Sequence, residues 1–446
     1  MFKLLSSEGE QPEQARASTP GLLGRWLTFL DSHPLRVLTL ILVLGIVLSL
    51  ALNLESLPPS QNAGENDTWW SIALNLAHGQ GYSLCLTRYF PFCGSSNQVT
   101  AAREPLPVLL FAGVARLSGG SLWAATVVEW IIYLAVLVVI YFLTREWAST
   151  RAALLAAFLW AVYIPALELI PQVSGDLLAA LLVSLGILFT LRARRNRGIR
   201  DWLIAGASLG LAAITRSGTL VVPAVVIGGV LLEAWRERLR LREILSPVLI
   251  LSSLVVLFLA PWLIRNEIAF GRPIFGSSLV GYNMYRHNYM LGTGNYFRYV
   301  GGKEGLMAID ALVARRTDLR GTENEAQMDA VYRGEALKII RAHPVQYALL
   351  SAYRFLPLWF NWGYYESYGV RTSREDHFIM VYQAILLILA LIGLRGNIRR
   401  TWPLWGGVLV LSLIYMAVDS QLLYLMPVMP LLISLSAAGG SRLLGK

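Results

Sequence analysis

Apolar residues in this chain gather into ten blocks, most of them about 17 to 25 residues long. That is the length with which a helix crosses a hydrocarbon core about 30 Å thick. The blocks run over 35–54, 121–143, 152–170, 174–191, 202–215, 218–234, 245–264, 378–394, 402–418 and 421–438, the one at 202–215 being short. They predict an all-α polytopic membrane protein, a bundle of about ten transmembrane helices. The composition agrees, with 55% hydrophobic and only 15% charged residues. Fourteen Trp and nineteen Tyr suit a protein anchored at two membrane–water interfaces. The polar N-terminal stretch ahead of Leu35 does not read as a cleaved signal peptide, because no small-residue cleavage site follows the first block.

The formal charge of +10 invites a nucleic-acid reading, but its distribution argues against one. Arg145 and Arg151, then Arg192–Arg200, then Arg236–Arg242, then Arg395–Arg400 fall in short loops after alternate crossings. The positive-inside rule puts these loops and the N-terminus in the cytoplasm. Residues 55–120, the turns near Glu168–Asp176 and Thr215–Gly218, and the segment 265–376 then lie on the outer, periplasmic side of the cytoplasmic (inner) membrane. Residues 346–361 are also apolar but contain Arg354 and Pro357. Counting them as an eleventh span would place Arg395–Arg400 outside, so they are read as a helix lying at the outer interface. The division that follows is a cytoplasmic tail over 1–34 and a seven-helix module over 35–264 that includes the outer loop 55–120. An outer segment with interfacial helices covers 265–376, and a three-helix C-terminal region covers 377–446. The two outer segments are too short and too aromatic for independent domains and are expected to fold onto the membrane region.

Chemistry-bearing residues concentrate on that outer side. Gly64-Glu65-Asn66-Asp67-Thr68-Trp69-Trp70 precedes an amphipathic stretch that stops at Gly79-Gln80-Gly81-Tyr82. Asn66 or Asp67 is a natural N-cap and glycine a natural stop, so Asp67 reads first as a helix cap. The helix is expected on the membrane surface with its tryptophans at headgroup depth. Asp176 opens a span, where a carboxylate is either a cap or a functional group. Arg103-Glu104-Pro105, Arg216 and Arg265-Asn266 follow at other outer positions; each arginine alone is an ordinary interfacial residue. Several arginines converging with carboxylates suit an anionic substrate, because guanidinium binds phosphate bidentately. Of the five histidines only His287, beside Arg286, falls in a plausible outer site. Cys85 and Cys93 share one hydrophilic loop and form a disulfide if that loop faces an oxidising compartment. A P-loop, an HExxH and a Cys/His cluster at metal spacing are all missing, so no cofactor is certain, and a divalent cation stays open but is not indicated.

In order, these features resemble the GT-C superfamily of membrane glycosyltransferases, and more narrowly the bacterial group related to protein O-mannosyltransferases and the lipid A aminoarabinose transferase. The resemblance runs from Leu35 to Leu432. It rests on Glu65/Asp67, Trp69 and the helix Ala73–Tyr82; on Arg103-Glu104-Pro105-Leu106-Pro107; on Asp176; on Thr215-Arg216; and on Pro261–Gly271 with its Pro-Trp-x-x-Arg-Asn. Spacing from the helix alanine favours Glu65 over Asp67, and both stay open. Many relatives carry Arg-Tyr-x-x-Pro near the C-terminus, where this chain has Leu423-Tyr424-Leu425-Met426-Pro427.

The resemblance implies a GT-C-like bundle and a polyprenyl-phosphate-linked sugar donor, with a lipid, glycan or protein as acceptor. Transfer is expected to be inverting, with Glu65 or Asp67 as base, Asp176 as a further catalytic carboxylate, and Arg103, Arg216 and Arg265 around the phosphate. Trp69, Tyr82, Glu104, Asn266, Arg286, His287 and Tyr424 complete the candidate substrate-binding set. The membrane lipid surrounds the bundle and no nucleic acid takes part. A flippase or transporter is the contrasting class, which calls for ionisable groups near span centres, where Glu129 is the main case. A non-catalytic envelope-assembly subunit is the third, toward which the missing arginine at Leu423 points.

Overall fold

The computed structural model describes residues 29–53, 67–94, 98–238, 240–297, 300, 302–361 and 373–444. Every apolar block has its helical counterpart. α1 (Pro34–Asn53), α2 (Asp67–Ala77), α3 (Pro105–Ser118) and α4 (Leu122–Trp147) are followed by α5 (Thr150–Ala161), α6 (Asp176–Asn196) and α7 (Ile199–Ala213). α8 (Val221–Glu237) and α9 (Leu241–Phe270) lead into four shorter helices: α10 (Val280–Arg286), α11 (Gly302–Arg315), α12 (Glu325–Ala342) and α13 (Pro344–Tyr353). α14 (Phe355–Phe360), α15 (Ser373–Leu394), α16 (Trp402–Val418) and α17 (Met429–Leu444) complete the order. Among the described residues, seven helices are long and apolar enough to cross a membrane, while the blocks at α5, α7 and α16 form shorter ones. The all-α polytopic fold expected from the sequence is the one observed.

Local sequence sets the ends. Proline occupies the first turn of α3 and α13, where its missing N–H costs nothing. Ser149 caps α5 by accepting from the Ala152 N–H at 3.2 Å. Gly271 closes α9 in the left-handed conformation, φ 66°. Two expectations change here. The block 152–170 is not one helix: α5 ends at Ala161, and a separate turn, Ile164–Leu167, carries Pro165 as its second residue, where proline cannot continue an upstream helix. Residues 346–361 fall into α13 and α14, which meet at Arg354, and neither is long enough to cross.

In lipid, helices associate through close packing and hydrogen bonds rather than through hydrophobic burial. α17 shows both. Its span is 89% buried, against 22% for α1 and 17% for α9, so it forms the bundle axis while those two face outward. Gly439 and Gly393 bring α17 and α15 so close that a Cβ on Gly439 would overlap the Leu389 carbonyl oxygen, and one on Gly393 that of Leu435. Ser436 Oγ donates to the Leu386 carbonyl at 2.7 Å, and Trp147 Nε1 donates to Ser434 Oγ at 3.1 Å.

The two ends of the bundle differ in character. At one end the basic loops knit together. Arg195 pairs with Glu146 at 2.6 Å, Arg194 pairs with Glu233 and donates to the Arg400 carbonyl at 3.1 Å, and Arg442 donates to the Arg395 carbonyl at 2.6 Å. The segments around α2–α3 and α10–α13 cover the other end. They do not simply lie on the helices, as expected, but share a core of their own. Tyr89 and Phe90 of the first segment pack with Tyr282, Tyr285, Met328 and Tyr332 of the second. The Tyr332 hydroxyl donates to the Tyr89 carbonyl at 2.8 Å. Cys85 and Cys93 are joined by a disulfide within the first segment, as the sequence suggested.

Candidate functional site

Beneath that cap, residues from five stretches of sequence meet. α2 begins at Asp67 and stops before Gly79 and Gly81, both at positive φ. Trp69 and Trp70, expected at the membrane surface, instead lie inside the protein. They are buried against Val108, Phe111 and Val173, because α2 packs flat on α3. Arg103 enters α3 with its Nε donating to Thr68 Oγ1 at 2.6 Å and its guanidinium 5.4 Å from the centre of the Trp69 ring. The next residue, Glu104, is buried, and its carboxylate accepts from both the backbone N–H (2.6 Å) and the hydroxyl of Ser217.

Gly175 shows how closely these pieces fit. A Cβ there would come within 2.8 Å of Pro107 Cγ, 2.9 Å of the Thr215 carbonyl oxygen and 3.3 Å of the Trp69 ring. This tight contact sets Asp176, at the head of α6, opposite Arg216, at the end of α7, with 3.3 Å between Arg216 Nε and Asp176 Oδ1. Burial works against the Arg216 charge, but Asp176 opposite raises its pKa above the ordinary value, so the cation is permanent. The Arg216 guanidinium also lies 5.7 Å from the ring centre of Tyr424, close enough for a cation–π contact.

Two further groups join this centre. Tyr82 donates to the Arg103 and Glu104 carbonyls, at 2.9 and 3.2 Å. Burial, and then Glu104, push its hydroxyl well above the ordinary phenol value, which keeps it a donor. Arg265 rests among Tyr82, Trp262 and Phe270 at 5.0–5.6 Å, donating to the Tyr82 carbonyl (3.1 Å) and to Asn266 Oδ1 (2.8 Å). Asn266 in turn donates to the Ile274 carbonyl at 3.0 Å. On the other flank, the Tyr424 hydroxyl donates to Asp419 Oδ2 at 2.8 Å, and His287 Nε2 lies 3.0 Å from Asp419 Oδ1. Burial works against the Asp419 charge, yet His287, Arg286 and the Tyr424 hydroxyl hold its carboxyl down at about 2. Burial also pushes the His287 imidazole below its ordinary value, with Asp419 pulling the other way.

The structure thus brings Trp69, Arg103, Glu104, Asp176, Arg216 and Tyr424 together, with Tyr82, Arg265, Asn266 and His287 in direct support. Arg286 stands apart from the centre, its guanidinium donating twice to the Val300 carbonyl at 3.0 and 3.2 Å. Glu65 lies outside the described residues. Asp67 is the first residue of α2, and its side chain is likewise outside the described part. Sequence reasoning missed Ser217 and Asp419. The signal for Asp419, an acidic residue at the mouth of a span, is the same one that singled out Asp176. Glu129, the ionisable residue inside a span, is fully buried in α4. Its Oε1 accepts from the Ser174 N–H at 3.1 Å, bracing the turn that presents Asp176.

Residues 102–264, which include Arg103, Glu104, Asp176 and Arg216, match the family model described as dolichyl-phosphate-mannose-protein mannosyltransferase. No curated protein sequence matches the chain. Among solved structures, the chain is similar to the archaeal oligosaccharyltransferase AglB from Archaeoglobus fulgidus in complex with an inhibitory peptide and a dolichol-phosphate. The TM-score is 0.54 at 16% identity, over 93% of this chain and 50% of that one. The apo form of the Archaeoglobus fulgidus oligosaccharyltransferase gives 0.53 at 15%, over 92% and 50%. ArnT from Cupriavidus metallidurans bound to undecaprenyl phosphate gives 0.39 at 14%, over 90% and 77%. The chain spans about half the length of the archaeal proteins it matches, and the likeness is one of fold. It is a multi-pass, all-α membrane protein. Its fold is similar to that of the archaeal oligosaccharyltransferase.

Proposed function

We propose that this protein is a glycosyltransferase that moves a sugar from a polyprenyl-phosphate-linked donor to an acceptor hydroxyl on the outer face of the cytoplasmic membrane. The observation that carries the reading is the convergence of Arg103, Asp176, Arg216 and Tyr424, from four separate elements, at the end of the bundle opposite the basic loops. With those loops cytoplasmic, the site faces the periplasm, where nucleotide sugars are absent and a lipid-linked donor supplies the activated sugar.

The reaction is a single displacement. The acceptor oxygen attacks the anomeric carbon, the bond from that carbon to the phosphate oxygen breaks, and polyprenyl phosphate leaves with the electron pair. Glu65, two residues ahead of α2 in the sequence, or Asp67, the first residue of α2, takes the acceptor proton. Arg103 and Arg216 stabilise the charge that gathers on the leaving phosphate, with Arg216 held on one side by Asp176 and on the other by the Tyr424 ring. Arg265, enclosed by three aromatic rings, we read as a positioning group for Tyr82 and the turn after α2 rather than as a phosphate ligand.

The test uses purified protein in proteoliposomes with radiolabelled polyprenyl-phosphate sugars and membrane-extract acceptors. E65Q or D67N is expected to slow transfer by about 10²–10⁴-fold, the usual weight of a general base. Full activity in both single variants and the double variant, each correctly inserted, rejects the base assignment. Failure of the wild-type protein to retain any polyprenyl-phosphate species in native mass spectrometry overturns the transferase reading.

A further inference from the structure

Asp419 belongs to no motif that carries the resemblance, yet it is 2% exposed and sits between two candidate site residues. Its two oxygens have different tasks. Oδ2 receives the Tyr424 hydroxyl at 2.8 Å and Oδ1 faces His287 Nε2 at 3.0 Å. Tyr424 is further fixed by stacking on Tyr415, with ring centres 4.8 Å apart and planes at 22°. The ring so held forms one wall against Arg216, whose other wall is Asp176. On its own segment Tyr424 follows Leu423, so the cation beside its ring comes from the end of α7 instead.

The far side of Asp419 is equally well built. Arg354, buried at the junction of α13 and α14, donates to the His287 carbonyl at 2.6 Å, to Asn288 Oδ1 at 3.1 Å and to the Ala417 carbonyl at 3.0 Å. It clamps the end of α10, which carries His287, to the end of α16, which leads into Asp419. A buried carboxylate is retained only when paired and hydrogen-bonded, and here the surrounding groups supply both.

We propose that Asp419 is a positioning residue of this site: backed by His287, it fixes the Tyr424 ring so that the Arg216 guanidinium is held where a leaving phosphate develops charge. The proposal rests on the transferase reading. Without Asp419 the Tyr424 hydroxyl loses its hydrogen bond to Oδ2, and the ring is held less firmly, by its stacking on Tyr415. Arg216 then loses one wall and leans on Asp176, which weakens its hold on phosphate. The effect falls most on the species with the greater phosphate charge. That is the polyprenyl monophosphate product rather than the phosphodiester donor.

The test measures binding of polyprenyl monophosphate and of a polyprenyl-phosphate sugar, separately, to the full-length protein in detergent. D419N and Y424F are each expected to weaken monophosphate binding about tenfold, the weight of one hydrogen bond to a charged group, and donor binding less. The double variant is expected to lose no more than either single one, because both break the same link. Unchanged monophosphate affinity in Y424F, equal losses for both ligands, or additive losses in the double variant each overturn the proposal. Y424F keeps the ring and its packing, so it answers even where D419N misfolds. If the wild type binds neither ligand, the transferase reading fails and the positioning role falls with it; if it binds both while the variants match it, only the positioning role fails.

Discussion

Glu325 shows how a single side chain ties the two halves of the cap together. Its Oε2 accepts from the Ala101 N–H at 2.9 Å and from the Ser278 hydroxyl at 2.7 Å, so one oxygen staples the first segment to the second. Burial raises its pKa, and the hydrogen bonds pull back only in part. With the folded value above the unfolded one, the stability linked to its proton is full at acidic pH and is lost as pH rises through the folded value. E325Q keeps an acceptor without the buried charge. It is expected to match or exceed wild-type thermal stability at pH 7 and to lose the advantage at a pH low enough to protonate the folded-state carboxylate. E325A leaves both donors unsatisfied and is expected to cost about 1–3 kcal/mol at either pH. Thermal-shift curves of the purified protein at the two pH values decide the matter; equal behaviour of E325Q and E325A removes the staple from the account. At this scale the sequence is partly legible. Asp176 and Arg216 stand out because a charge at the mouth of an apolar block is costly and therefore rarely idle. Asp419 carries the same mark but lacks a neighbouring motif, and its partner His287 comes from a distant segment that periodicity cannot bring to it.

Helices were legible where they are long and apolar, and less so where proline or arginine interrupts them. The turn at Ile164–Leu167 and the break at Arg354 both lie inside runs that hydropathy treats as continuous. Arg354 is tolerated there because backbone carbonyls and Asn288 receive its donors, and its pKa still falls to about 10 through burial. Contacts between helices were not legible at all. Gly393 and Gly439 look like ordinary small residues within spans, yet they let α15 and α17 touch backbone to backbone. Adding one methyl group in G439A forces the helices apart, and lipid supplies no hydrophobic force to close the gap. A loss of about 1–3 kcal/mol is expected, as for overpacking elsewhere. It should appear as a lower yield of monodisperse protein and a lower unfolding temperature in detergent. An exposed glycine such as Gly113, where a Cβ would meet nothing, serves as the control; if G113A and G439A behave alike, the close approach is not what holds α17 on the axis.

For the molecule as a whole, the separation of its two ends carries the functional argument. Arginines spaced along the sequence after alternate blocks gather at one end, where they pair with Glu146 and Glu233 or bind loop carbonyls. The carboxylates and arginines that resemble a transferase site gather at the other, under a cap whose two halves share a core of tyrosines and a methionine. Alternation of charge was readable because a span of fixed length must return the chain to the opposite side each time. The cap was not, since its short helices find their apolar partners only across a large sequence separation. Sidedness can be measured in the native background, because the only two cysteines are joined to each other and do not react with maleimide unless reduced. Asn295, exposed in the cap, and Arg399, exposed in a basic loop, are suitable positions for one added thiol each. In intact spheroplasts a membrane-impermeant maleimide is expected to label N295C and to spare R399C, which becomes reactive only once the membrane is opened. Labelling of R399C from outside would put the basic end in the periplasm and the candidate site in the cytoplasm. A polyprenyl-linked donor would then have no advantage over a nucleotide sugar, and the chemistry proposed for Arg216 would need a different substrate.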